Sequence, residues 1–150
     1  MKKIPFTKKG VEALHEELEK IKNERPAVIS ELKRAREMGD LSENGFYKAT
    51  KGKLFDTDRR IRHLAFLITN SQIENSTQVG VVRIGNKVTF ESEGKEYVYQ
   101  IVGTYESNPS EGKISIESPL GKKLLGKKVG DLGEYIHGRS KTSFKVVKIS

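Results

Sequence analysis

The stretch Thr7–Asp40, TKKGVEALHEELEKIKNERPAVISELKRAREMGD, decides how the first half of the chain folds. Val11, Leu14, Leu18, Ile21, Val28, Leu32 and Ala35 follow one another in alternating steps of three and four, and Arg25 stands where the apolar series lapses. That spacing describes a helix with one apolar seam. Thr7 suits the N-cap, and Gly39 suits the left-handed residue that ends a helix. Pro26 has no amide proton and is expected to kink or briefly break the run.

A second series follows at once, from near Ser42 to about Asn70. Tyr47, Leu54, Ile61 and Ile68 recur every seven residues, with Leu64 in the other seam position. Thr50 and Thr57 weaken the seam near its start. Two seams joined by a short loop predict an antiparallel helical hairpin. At 1.5 Å per residue the second helix is ~42 Å long, too long to bury itself in a small globule, so the hairpin is expected to project.

Composition changes near the polar stretch Asn70–Gln78, which reads as a linker. Residues 78–150 hold 10 of the 14 Gly and 15 Val and Ile, against 8 Val and Ile before them, which turns the reading from helix to strand. Period-two runs mark strands at Val79–Ile84, Lys87–Glu91, Glu96–Val102, Lys113–Glu117, Gly133–His137 and Ser143–Ile149, split by turns at Gly85-Asn86, Glu93-Gly94-Lys95, Gly112 and Gly138. Ser118-Pro119 opens a short capped helix over Leu120–Leu125 that ends at Gly126. The expected fold class is therefore α+β. A coiled-coil hairpin over residues 1–77 precedes a small antiparallel sheet wrapping a short helix over residues 78–150.

The net charge of +8 is shared equally between the two parts, so the basic excess is not a tail. It favours polyanionic partners without naming one. The absence of cysteine excludes disulfides, thiolate zinc sites and a cysteine nucleophile. No apolar run is long enough to span a bilayer, and Met1-Lys2-Lys3-Ile4-Pro5 is not followed by a signal region. A cytoplasmic monomer without a membrane partner is expected.

Three stretches are candidates for chemistry. In the interhelical loop, Asp40 and Glu43 are three apart, and on a helical turn their Cβ atoms would lie ~5–6 Å apart. Such a pair can share a hard cation such as Mg²⁺, which needs only one or two protein carboxylates beside phosphate and water. The same spacing also fits a capping pattern, with Asp40 at the N-cap and Glu43 at N3. Behind the loop lies a basic stretch, Lys48, Lys51, Lys53, Arg59, Arg60 and Arg62, with only Asp56 and Asp58 among them. It reads either as a solvated helix surface or as a phosphate-contacting track, with Phe46 or Tyr47 able to stack on a base. Tyr47 also fits the seam. Gly121–Lys128 nearly spells a phosphate-binding loop, but Lys128 stands where Ser or Thr is needed and no strand precedes it. His15, His63 and His137 are too scattered for a metal cluster. No self-contained catalytic machine is visible.

Met38-Gly-Asp-Leu-Ser-Glu-Asn-Gly-Phe-Tyr47, preceded by Glu24-Arg25-Pro26, resembles the Gre family of bacterial transcript-cleavage factors. Asp56-Thr-Asp-Arg-Arg-Ile-Arg62 is similar to the GreB branch, and Ser118-Pro-Leu-Gly-Lys-Lys-Leu-Leu-Gly-Lys-Lys-Val-Gly-Asp131 to the GreA pattern. The resemblance runs from Thr7 to Ile149. It implies a C-terminal domain of the FKBP-like kind and binding to bacterial RNA polymerase, with the coiled coil in the secondary channel and the C-terminal domain at its rim. The family's tip acids fall on Asp40 and Glu43, its Ser-Pro rim contact on Ser118 and Pro119, and its basic position meeting the 3′ end of backtracked RNA near Lys51. The implied chemistry is Mg²⁺-dependent cleavage of nascent RNA by the polymerase, Asp40 and Glu43 completing the metal site. Family tips usually carry Ala or Ser and an acid where this chain has Gly45 and Phe46. Related anti-cleavage factors carry extra tip acids, and this tip has two. The alternatives are a channel inhibitor without cleavage activity, a prolyl isomerase or chaperone built on the C-terminal domain, and a non-specific nucleic-acid binder.

Overall fold

The computed structural model describes residues 2–39, 44–74 and 80–150. The chain divides into two compact units, Val11–Asn70 on one hand and the residues through Gly10 together with those from Ser71 on the other.

In the first unit, helices α1 (Lys8–Arg36) and α2 (Gly45–Asn70) form the hairpin. Leu14, Leu18, Val28, Leu32 and Ala35 are buried on α1, and Thr50, Leu64 and Leu67 on α2. Val11, Ile21 and Arg25, with Tyr47, Leu54, Thr57, Ile61 and Ile68, are half-buried. Every position of the two predicted seams is thus removed at least partly from water. The helices run antiparallel, because cross-hairpin partners climb on one strand of the pair as they descend on the other. Asn44 bonds Ala35, Lys53 bonds Glu31, Arg25 bonds Asp58 and Arg60 bonds Glu17.

Arg25 fills the lapse in the seam by charge. Its guanidinium donates from Nε to Asp58 Oδ1 at 2.6 Å and from Nη2 to Oδ2 at 3.2 Å. The two threonines are accommodated by back-bonding, Thr50 Oγ1 to the Phe46 carbonyl at 2.9 Å and Thr57 Oγ1 to the Lys53 carbonyl at 2.8 Å. The expected break at Pro26 is not found, since α1 is continuous through it. Pro26 stands between Arg25, forked to Asp58, and buried Val28. The second helix starts at Gly45 rather than near Ser42, which leaves 26 residues, ~39 Å.

In the second unit, β1 (Ile4–Phe6) and β2 (Ser71–Ile73) pair in parallel. Residues 71–73, read from the sequence as linker, are therefore a strand, and the chain's opening segment packs with its second half. Three residues with mixed polarity carry no period-two signal, so only the partner reveals them. Thr7 caps α1, its Oγ1 accepting from the Gly10 amide at 3.0 Å. The Glu106 carboxylate accepts from both the Thr7 amide and its hydroxyl, and a Cβ at Gly10 would collide with that carboxylate.

The main sheet joins β3 (Lys87–Ser92), β4 (Lys95–Val102), β5 (Lys113–Ser115), β6 (Leu132–His137) and β7 (Ser140–Ile149) in the order β5-β4-β3-β7-β6. It is antiparallel except where β4 meets β5 in parallel, after the chain crosses over through single 3₁₀ turns at Thr104–Glu106 and Pro109–Glu111. Val88, Phe90, Ile101, Ile114, Phe144 and Val146 form the core with Val82 and Leu124, the latter from helix α3 (Pro119–Leu124). The strand expected at Val79–Ile84 is not there within the described residues. Val82 and Ile84 are buried, but the segment makes one bridge, Val81 to Lys128, and no ladder. Alternating burial alone produced the period-two pattern.

Two outcomes test the hairpin. Leu64→Ala, at a fully buried seam position, is expected to cost about 2–5 kcal/mol in denaturant unfolding. Asp58 is held below the usual aspartate range, first by its hydrogen bond from Arg25 and also by the attraction of Arg25 and Arg62, against an opposing burial effect. A lowered folded-state pKa stabilises the fold above the unfolded value and loses that contribution as pH falls through the folded one. The difference in thermal midpoint between wild type and Asp58→Asn should therefore be widest above about pH 5 and close as the pH drops below about 3.9. A difference independent of pH would contradict the assignment.

Candidate functional site

The site is built at the turn of the hairpin. Helix α1 closes with the Glu37 amide bonded to the Lys33 and Arg34 carbonyls and Met38 to Ala35. Gly39 then takes a φ of 114°, a conformation that glycine adopts without strain. Asp40 and Glu43 lie outside the described residues. Their flanks are defined. The Asn44 side chain accepts from the Tyr47 amide at 3.0 Å, the N-cap bond of α2, and donates to the Ala35 carbonyl at 2.9 Å. One amide thus caps the second helix and ties it to the end of the first. The capping alternative for Asp40 and Glu43 falls on residues outside those described. Asn44 is a favoured cap residue and caps the described start of α2.

Of the proposed basic track, Lys53 pairs with Glu31 at 3.4 Å and Arg59 with Asp56 at 3.3 Å, its guanidinium over the Phe55 ring. Arg60 is held by Glu17 in a two-point fork at 2.8 and 2.9 Å. Lys48 and Lys51 are exposed and have no carboxylate partner among the described residues, and the Lys51 ammonium lies 6.0 Å from the centre of the Tyr47 ring. The structure thus separates two free cations in the first two turns of α2 from a more distant set already engaged. A groove of about 790 Å³ between the two helices has Ala27, Ala49, Gly52 and Lys48 among its lining residues. Tyr47 is half-buried in the seam, whereas Phe46 is 49% exposed.

Ser118 and Pro119 sit at the start of α3, distant in sequence from the turn. The Ser118 hydroxyl accepts from the Gly121 amide at 3.0 Å and donates to the Ser115 carbonyl at 2.7 Å, so both its hydrogen-bonding functions are used within the fold. Pro119 is exposed. Gly121 packs so closely on the Ser115 carbonyl that a Cβ there would overlap it. The Gly121–Lys128 stretch is the last four residues of the six-residue α3 followed by a turn, not a phosphate loop. Among the described residues, no group of three or more His, Asp or Glu side chains is placed to hold a metal ion. No helix among them is long and apolar enough to cross a membrane.

Comparison with known proteins agrees over both units. A family model described as "Transcription elongation factor, N-terminal" matches residues 4–73, and one described as "Transcription elongation factor, GreA/GreB, C-term" matches residues 76–150. The transcription elongation factor GreA of Lactococcus lactis subsp. cremoris (strain SK11) is 41% identical over 153 residues, covering 99% of this chain and 98% of the relative. That of Staphylococcus carnosus (strain TM300) is 44% identical over 134 residues, covering 87% and 84%. The crystal structure of GreA factor homolog 1 (Gfh1) of Thermus thermophilus matches 99% of each chain at 28% identity, with a TM-score of 0.46. This chain belongs to the GreA/GreB family of transcription elongation factors.

Proposed function

We propose that the chain stimulates endonucleolytic cleavage of the 3′ end of nascent RNA in backtracked, arrested complexes, entering the secondary channel of bacterial RNA polymerase hairpin first. The observation that carries this reading is the family match over both parts of the chain. Asp40 and Glu43 fall where the resemblance puts the family's tip acids, between two helices whose facing ends the Asn44 side chain links.

Asp40 and Glu43 supply hard oxygen donors, the chemistry that Mg²⁺ prefers, and two suffice when phosphate and water complete the set. When bound jointly with the polymerase, a Mg²⁺ held by Asp40 and Glu43 would supply charge stabilisation at the phosphodiester. The chain's own part is to carry the carboxylates, to orient the attacking water by accepting its hydrogen bonds, and to bring cations toward the RNA. Lys48 and Lys51 serve that last role, because Lys53 and Arg59 already have carboxylate partners. The chain is not itself a hydrolase in this scheme. The exposed Pro119, on a turn fixed by Ser118, meets the channel rim. The factor works as a monomer.

Stalled, backtracked complexes incubated with the protein and Mg²⁺ should release short 3′ fragments on a sequencing gel. Asp40→Ala with Glu43→Ala should lower the rate by about 10²-fold or more while leaving the protein folded. Slowed synthesis with no fragments would instead mark a channel inhibitor. Among single lysine variants, Lys48→Ala and Lys51→Ala should raise the half-saturating factor concentration several-fold, most at low salt, and Lys53→Ala and Arg59→Ala should do so less.

A further inference from the structure

Two large apolar side chains stand exposed at the end of the hairpin, Met38 on the α1 side at 67% and Phe46 on the α2 side at 49%. Phe46 is the second residue of α2, and its backbone is fixed. Asn44 caps the turn beneath it, and the Phe46 carbonyl accepts from Thr50 Oγ1. Its ring has no aromatic or cationic partner among the described residues. The neighbouring Tyr47 is half-buried in the seam and lies under Lys51. Beside Phe46, no described atom lies within 4 Å of where a Gly45 Cβ would stand, and the Gly45 φ is not in the left-handed region. A glycine there is not demanded by the backbone. Lys48 and Lys51, the two cations without carboxylate partners among the described residues, follow within five residues. An exposed ring on the first turn of a helix whose next turn carries Lys48 and Lys51 is suited to an unpaired strand, base against ring and the neighbouring phosphates within reach of the ammonium groups on their long side chains.

We propose that Phe46 stacks on the base of a nucleotide in the extruded 3′ segment of the RNA and so sets that segment against the tip. The proposal rests on the cleavage reading above and adds to it a substrate-contacting residue with its own preference. Every base has a π-face, so the contact tolerates any sequence, and purines, with the larger face, are held better.

The test uses the full-length protein and backtracked complexes whose 3′ segments end in each of the four bases. Cleavage rate is followed against factor concentration. Phe46→Ala is expected to raise the half-saturating concentration about tenfold, the scale of one lost stack, with the rate at saturation and the Mg²⁺ dependence little changed. Phe46→Tyr and Phe46→Trp should retain wild-type behaviour, and the purine preference should disappear in Phe46→Leu along with the affinity. Binding to polymerase without extruded RNA should be the same for all variants. If Phe46→Leu matches wild type, or if Phe46→Ala weakens binding to RNA-free polymerase equally, the ring meets protein rather than a base and the proposal is overturned. If wild type cleaves nothing, the cleavage reading fails. If wild type cleaves and Phe46→Ala is indistinguishable from it, the stack alone fails. Unchanged melting of Phe46→Ala, expected for an exposed side chain, excludes misfolding as the cause of any loss.

Discussion

The register between α1 and α2 is the constraint on which the candidate site depends. A turn displays two acids at the end of a rod only if both helices stop at the right residues and stay in step behind it. Buried Leu32, Ala35, Thr50 and Leu64 keep the seam dry, but apolar contacts alone tolerate sliding by a turn. Directional bonds remove that freedom. The Arg25–Asp58 fork and the Arg60–Glu17 fork each match two donors to two acceptors, and the Asn44 amide links the two helix ends. Surface ion pairs contribute little stability singly. Here their value is geometric, since each is satisfied in one register.

The same bonds sort the charges of a basic protein. Glutamate and aspartate on the hairpin engage Arg25, Lys53, Arg59 and Arg60, and among the described residues Lys48 and Lys51, nearest the turn, have no carboxylate partner. A net positive charge spread evenly over the sequence thereby becomes a local feature. No change of composition is needed, only the pairing that the antiparallel register imposes.

The second unit is organised by close backbone approaches. Gly103 packs on the Pro5 carbonyl, Gly121 on the Ser115 carbonyl and Gly133 on the Phe144 ring. Each contact leaves no room for a side chain. Together with the Thr7–Glu106 bonds and the Phe6–Tyr105 stack, they tie the chain's opening strand into the later half. Ser118 belongs to this scaffold, because its hydroxyl is engaged on both sides. Its neighbour Pro119 is what the turn displays.

Helical period and turn chemistry are local, and so the two seams, the caps at Thr7 and Ser118, the stop at Gly39 and five of the seven strands among the described residues were legible in the order of residues. Asp40 and Glu43 stand out in the order of residues by their spacing and by the family pattern around them. The tie that Asn44 makes was not legible, because its partner, Ala35, is nine residues away on another helix. The pairing of Arg25 likewise depends on Asp58, far along the chain. The β1–β2 pair joins segments some seventy residues apart, and the parallel β4–β5 contact needs a crossover whose end point no local pattern states. Local conformational preference is written in neighbouring residues, whereas pairing is a property of two distant segments at once; the sequence therefore determined the elements and the chemistry they carry, and the tertiary structure decided which charges and which ring remain for a partner.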